Sequence, residues 1–196
     1  MDNLIGKTLD GLYTIQELIG TGGMANVYKA VVSAPGGPVP EGTVVAVKVL
    51  RQELMHDADL VRRFKNESKA ISILNHPNIV KVYDVSVTDQ LQYIVMEYID
   101  GDNLEQLIKK NALSAELARK IAGQLMDALE YMHNKQMIHR DLKPSNIMIT
   151  HNGQNVKLID FGLSDSDSFC VLKSPAGTSG YIAPEQMLPA AKAEPR

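Results

Sequence analysis

The sequence predicts an α+β chain of two lobes, the first rich in strands with one main helix and the second helical. Three observations carry this. Strand-like runs, alternating apolar and polar positions in the first two, fill most of residues 12–50 and 76–99. From residue 104 the apolar spacing becomes that of amphipathic helices. Between the two, GDN (101–103) interrupts the pattern.

The elements follow in order. LYTIQELIG (12–20) and NVYKAVVS (26–33) alternate apolar and polar positions, as half-buried strands do. APGGPVPEG (34–42) is a Pro/Gly loop, and TVVAVKVL (43–50) reads as a strand from its β-branched content. DADLVRRFKNESKAISILN (57–75) predicts a helix, with Leu60, Phe64, Ile71 and Leu74 near helical spacing. HPNIVKVYDVSV (76–87) and QYIVMEYI (92–99) return to strand character. LEQLIKK (104–110) is a short helix. SAELARKIAGQLMDALEYMHN (114–134) is a long one, with Ser114 as N-cap, Glu116 in its first turn, and Leu117, Ile121, Leu125, Leu129 and Met132 as its buried stripe. IMIT (147–150) and VKLID (156–160) are short strands joined by an HNGQN turn. Residues 161–182 are Ser- and Gly-rich loop, and the end is an Ala/Pro-rich tail. The domain boundaries expected are 1–99, 100–185 and a tail over 186–196.

Composition excludes several classes. With 196 residues the chain can bury a sizeable core. Its formal net charge of -3 provides no basic field for nucleic acid. A single cysteine, Cys170, excludes an internal disulfide framework and fits a reducing, cytoplasmic setting. The start MDNLIGKTLDG has no signal-peptide pattern, and no apolar run approaches the ~20 residues of a membrane helix. The five histidines are scattered and form no metal site.

The chemistry concentrates in a few stretches. HRDLKPSN (139–146) packs His139, Arg140, Asp141, Lys143 and Asn146 into eight positions before an apolar strand. GTGGMANVYKA (20–30) places Gly20, Gly22 and Gly23 between two strands, where the missing Cβ atoms let backbone approach a phosphate. A strand follows the glycines, which disfavours a dinucleotide-binding loop. Lys48 lies inside an apolar strand, and Glu67 on the next helix is a carboxylate partner for it. Asp160 ends the strand of LIDFG (158–162) and, with Asn146, supplies the hard oxygen ligands Mg²⁺ prefers.

The order of these motifs is more specific than any one of them. Glycine loop, strand lysine, helix glutamate, HRDLKPSN, DFG and APE (183–185) appear in the sequence of the protein-kinase signature. The chain resembles a eukaryotic-like serine/threonine protein kinase, and GTGGMANVYKA with HPNIV looks most like the bacterial branch. The resemblance runs from about residue 10 to Glu185. It implies a bilobal kinase-like fold and phosphoryl transfer, which needs positioning and charge neutralisation. It implies ATP and Mg²⁺ as cofactors and a protein substrate with Ser or Thr; the LKP form after Asp141, in contrast to the LAAR of tyrosine kinases, points to those hydroxyls.

The resemblance also assigns roles. Asp141 would take the acceptor proton, and Lys143 would steady the γ-phosphate. Asn146 and Asp160 would hold Mg²⁺. Lys48, braced by Glu67, would hold the α- and β-phosphates. Ile19 and Gly20, Gly22 and Gly23 would cover the nucleotide. Val27 and Ala46 would pack one face of the adenine and Met148 the other. Backbone groups of Glu97, Tyr98 and Ile99 would hydrogen-bond it, with Met96 behind. His139 and Phe161 would stack with Ile71 and Val82 as a spine. Arg140 would read a phosphate on the loop carrying Ser166, Ser168 and Ser174.

The sequence departs from the pattern at Ala25, the third glycine position, and at Ser179, where many relatives have Pro. It also stops shortly after Glu185, before the family's late helices, so the resemblance implies an incomplete second lobe. The apolar stripe of 114–134 would then be covered on fewer sides, favouring self-association. A nucleotide-binding pseudokinase and an interaction scaffold stay open as alternatives to an active kinase.

Overall fold

The computed structural model describes residues 4–160 and Tyr181, with the side chains of Arg63 and Glu67 outside the description. The chain divides into two compact units, residues 1–68 with 81–98 and residues 69–80 with 99–196.

The first unit is built on an antiparallel sheet of six strands. These are β1 (Thr8–Leu9), β2 (Tyr13–Thr21), β3 (Ala25–Val32), β4 (Val44–Leu50), β5 (Val82–Val87) and β6 (Gln92–Glu97), in the order β1-β2-β3-β4-β6-β5. The alternation in the sequence sorts side chains onto two faces. Val45, Val47 and Val49 join Tyr28, Ala30, Tyr93 and Val95 in one buried cluster. Tyr13 and Tyr93 meet edge to face within it, ring centroids 6.3 Å apart. Their hydroxyls leave the cluster to donate to carboxylates, Tyr13 to Asp84 at 2.7 Å and Tyr93 to Asp10. Burial and these carboxylates push both phenols well above their ordinary range. Positions between them face the other way, where Ala25, Leu50 and Ile94 pack with Phe64.

Phe64 belongs to helix α1 (Ala58–Ser72), opened by Asp57, whose Oδ1 accepts from the N–H groups of Asp59 and Leu60 at 3.0 and 3.1 Å. The division between the units falls within this helix.

The second unit holds a three-stranded antiparallel sheet, β7 (Gly101–Asn103), β8 (Ile147–Thr150) and β9 (Val156–Leu158). It also holds helices α2 (Leu104–Lys109) and α3 (Ala115–Asn134). Asn103 closes a capping box with Gln106, and Ser114 caps α3 by accepting from the Leu117 N–H at 3.1 Å. Leu117, Ile121 and Met132 of the expected stripe are buried together with Ala128, whereas Leu125 and Leu129 are half-buried.

Three elements differ from the sequence expectation. Residues 76–81 do not extend strand β5, which begins at Val82. Asn78 and Val80 instead pair with β9: Leu158 N–H donates to Asn78 O at 2.8 Å, and Val80 N–H donates to Leu158 O at 3.0 Å. Asn78 is buried and donates its amide to Val156 O at 3.0 Å and to Gln124 of α3 at 3.1 Å. GDN does not break the pattern but forms β7, in register with Met148–Thr150. Strand β9 ends at Leu158, because Ile159 N–H turns to Asn146 O at 3.0 Å and Asp160 adopts φ 47°.

Gly101 is required by that pairing. A Cβ there would lie 2.2 Å from the Ile149 carbonyl oxygen, which is backbone and cannot swing aside. Gly101→Ala should therefore cost about 1–3 kcal/mol, the scale of overpacking. The check is a lowered midpoint in urea denaturation followed by circular dichroism; an unchanged midpoint contradicts the contact.

Candidate active site

In the first unit, the predicted nucleotide residues fall on adjacent strands. Gly20 pairs with Val27 across β2 and β3, Val27 pairs with Lys48 across β3 and β4, and Lys48 pairs with Ile94 across β4 and β6. Ala46 pairs with Met96, and Val45 with Glu97. Lys48 thus shares the face of Ala46 and Leu50, the face on which Phe64 packs, and it is half-buried. Its partnership with Glu67 lies outside the described side chains. Ile19 sits at an irregularity in the β2–β3 register and is 44% exposed. Glu97 is fixed through its own main chain, its N–H donating to Lys81 O at 2.8 Å.

Gly22 closes the turn between β2 and β3, its N–H donating to Ala25 O at 2.9 Å. A Cβ on Gly22 would press that oxygen at 3.1 Å, whereas Gly23 faces open space. Ala25, the departure from the glycine pattern, is a buried core residue opposite Leu50. Its methyl group therefore serves packing.

In the second unit, helix α3 hands over to the loop through Gln136 at φ 58°, with Met137 N–H donating to Met132 O at 3.0 Å. Met137 is buried and anchors the entry. His139 follows, 2% exposed. Its Nδ1 accepts from the Asp141 N–H at 3.3 Å and its Nε2 faces Ile159 O at 3.3 Å. That pairing requires a neutral ring with its proton on Nε2. Asp141, Asp160 and Lys143 all act on this imidazole electrostatically, but burial dominates and pushes its pKa down to about 4.

The side chains of Asp141, Lys143 and Asn146 converge on one oxygen. Asn146 Nδ2 donates to Asp141 Oδ2 at 3.0 Å and to Asp141 O at 2.8 Å, and Lys143 Nζ lies 3.0 Å from the same Oδ2. Asn146 is buried and ends a 3-10 turn whose first residue is Pro144, with Asn146 N–H donating to Lys143 O at 2.9 Å. Its amide nitrogen is committed to Asp141, which turns its oxygen the other way. Met148 lies on β8 between Asn103 and Lys157. Ile99 is half-buried at the entry to the second unit. Phe161, the loop serines and Glu185 lie outside the described residues.

Sequence reasoning missed Arg51 and Gln124. Arg51 Nη1 lies 3.5 and 3.4 Å from the carbonyl oxygens of Gly22 and Gly23. Gln124 accepts from the Val156 N–H at 2.7 Å and so ties α3 to β9. Gln124 carried no signal, because it stands beside an apolar stripe that explains the helix without it. Arg51 carried only its position at the end of a strand.

The buried imidazole makes stability depend on pH. Above its ordinary pKa of 6.5, His139 is neutral in both folded and unfolded chains. As pH falls below 6.5 the unfolded chain binds a proton that the folded one refuses, so stability drops until pH reaches about 4. In His139→Gln the loss of stability between pH 6.5 and 4 should be shallower than in the parent, measured by denaturation midpoints; parallel curves contradict the assignment.

Comparison with known proteins agrees with this geometry. A model of the protein kinase domain matches residues 13–195. Serine/threonine-protein kinase PrkC of Bacillus subtilis (strain 168) is 41% identical over 187 residues, covering 93% of this chain and 28% of that protein. A probable serine/threonine-protein kinase of Clostridium perfringens, CPE1738, is 42% identical over 187 residues, covering 93% and 26%. Serine/threonine-protein kinase PknA of Mycobacterium tuberculosis is 39% identical over 197 residues, covering 96% and 44%. The chain thus spans less than half the length of these curated relatives. Glycine turn, strand lysine and the Asp141–Lys143–Asn146 constellation lie within the matched span, and the chain belongs to the protein kinase family, among the serine/threonine kinases of bacterial type.

Proposed function

We propose that this chain is an ATP-dependent protein serine/threonine kinase that transfers the γ-phosphate of Mg·ATP to Ser or Thr hydroxyls of a protein substrate. The observation that carries the proposal is the fixed carboxylate of Asp141. Asn146 and Lys143 hold its Oδ2, and His139 holds its backbone N–H. An aspartate held at its main chain and at one carboxylate oxygen can orient an acceptor hydroxyl and take its proton as the oxygen attacks phosphorus. Lys143, already beside Asp141, steadies the transferring phosphoryl group.

The donor set fits Mg²⁺. Asn146 presents an amide oxygen and Asp160 a carboxylate, both hard ligands. Among the described residues no group of three His, Cys, Asp or Glu stands ready to hold a metal. Two protein ligands suit an ion that completes its shell with phosphates and water. When bound, Mg²⁺ supplies neutralisation of phosphate charge. By the family resemblance, Lys48, with Glu67 as its partner, would hold the α- and β-phosphates; Val27 and Ala46 would pack one face of the adenine and Met148 the other; and main-chain groups of Glu97 and Ile99 would hydrogen-bond its edge, with Met96 behind. The protein substrate presents Ser or Thr and is otherwise unspecified. Among the described residues no helix is long and apolar enough to cross a membrane. No observation favours the pseudokinase or scaffold alternatives, since Lys48, Asp141, Lys143, Asn146 and Asp160 are all retained.

Two substitutions test the assignment. Asp141→Asn should leave Mg·ATP binding nearly intact and lower phosphoryl transfer by roughly 10²–10⁴-fold, read with labelled γ-phosphate and a generic protein substrate. Parent-level turnover would remove Asp141 as the base. Asp160→Asn should abolish the difference between ATP-induced thermal shifts with and without Mg²⁺; a full Mg²⁺ response in that variant would count against the metal role.

A further inference from the structure

The turn joining β2 to β3 is held from one side by a single residue. Arg51 follows β4 directly, and its backbone N–H donates to Met24 O at 3.0 Å. Its guanidinium Nη1 lies 3.5 Å from Gly22 O and 3.4 Å from Gly23 O. Three successive carbonyls of the turn therefore face Arg51. The other edge of the guanidinium is occupied: Nε and Nη2 both donate to Glu53 Oε1, at 2.9 and 2.5 Å. This fork-shaped engagement fixes the direction in which Nη1 points. The arginine in turn holds the Glu53 carboxyl below its ordinary range, second to a hydrogen bond from that residue's own backbone.

The consequence follows from peptide geometry. Across a planar trans peptide, the C=O of one residue and the N–H of the next point in opposite directions. With the carbonyls of Gly22 and Gly23 turned toward Arg51, the N–H groups of Gly23 and Met24 are turned away from it. The Gly22 N–H is already spent on Ala25 O. Two adjacent amide donors are thus displayed on one side of the turn, with a cation behind them. Such a pair takes anionic oxygens.

We propose that Arg51, clamped by Glu53, is a positioning residue that aims the Gly23 and Met24 N–H groups at the phosphates of a nucleoside triphosphate. It touches neither substrate nor metal. It acts through the turn, by fixing the orientation of two peptide planes that glycine would otherwise leave free. The inference rests on the kinase reading above, and it deepens that reading by naming a residue outside the signature motifs.

The test compares Mg·ATP with adenosine, which lacks the phosphates, in equilibrium binding to the full chain. Arg51→Gln should weaken Mg·ATP about tenfold, the scale of a lost hydrogen bond to a charged group, and leave adenosine unchanged. Glu53→Gln, at an exposed side chain, should shift Mg·ATP in the same direction by less. Arg51→Lys should retain part of the affinity, because a point charge replaces the fork. Amide hydrogen exchange at Gly22, whose N–H is bonded to Ala25 O across the turn, should quicken in Arg51→Gln. Equal weakening of both ligands would reduce Arg51 to a merely structural role and overturn the proposal, as would unchanged Mg·ATP binding in both Arg51→Gln and Glu53→Gln. A parent chain that binds adenosine but gains nothing from the phosphates would overturn the kinase reading itself. A parent that gains from them while Arg51→Gln gains equally would overturn the role of Arg51 alone.

Discussion

A neutral imidazole in the wrong place for a charge organises the second unit. His139 is buried, and its two nitrogens do opposite jobs: one accepts from the Asp141 N–H, the other meets the Ile159 carbonyl. Protonation would give it two donors and leave the Asp141 N–H facing another donor. The ring therefore has to stay uncharged, and burial enforces that. Through it, the residue that opens the polar loop and the residue that precedes Asp160 are held at fixed separation. Asn146 repeats the link in main chain, accepting from Ile159 N–H while its side chain grips Asp141. Two independent ties between the same two segments leave little freedom for the carboxylates they carry.

The first unit solves a different problem. Lys48 has to be presented from the middle of a sheet whose neighbours are apolar. The period of two does this without any special device, since Val47 and Val49 on either side go to one cluster and Lys48 goes with Ala46 and Leu50. The glycine turn then needs direction more than freedom. Gly22 is tight against Ala25 O, and Arg51 holds the outer carbonyls. A glycine-rich segment here is shaped by what grips it.

Local chemistry was legible in the sequence wherever one short range of residues decides the outcome. Alternation located β2 and β3, and the strand character of 43–50 and 92–99 located β4 and β6, within a residue or two, and Ser114 announced the start of α3. Asp141, Lys143 and Asn146 sit close in sequence, so their convergence follows from one loop and one 3-10 turn. What stayed hidden is what a distant partner decides. Residues 76–81 have the β-branched content of a strand, yet Asn78 and Val80 pair with β9, and the Asn78 side chain bridges to Val156 and Gln124. GDN has the composition of a breaker, yet Gly101 is the one residue type that lets β7 approach Ile149. Arg51 reads as a solvated charge after a strand, because nothing local signals carbonyls that lie 28 and 29 residues earlier.

The strip 76–80 also bears on how such a chain is made. Its backbone partners lie on β9, and the Asn78 contact to Val156 spans 78 residues. The first unit draws only on residues up to 98, while the second needs a piece already synthesised before that point. During vectorial synthesis, residues 76–80 emerge before β9, and Asn78 and Val80 reach their partners only once Val156–Leu158 have left the ribosome. A cut between residues 98 and 99 would not yield two self-sufficient halves, since the C-terminal fragment would lack the strip that lies along β9. Folding of the second unit is thereby tied to a long loop closure, the kind of non-local pairing that sets a slow step.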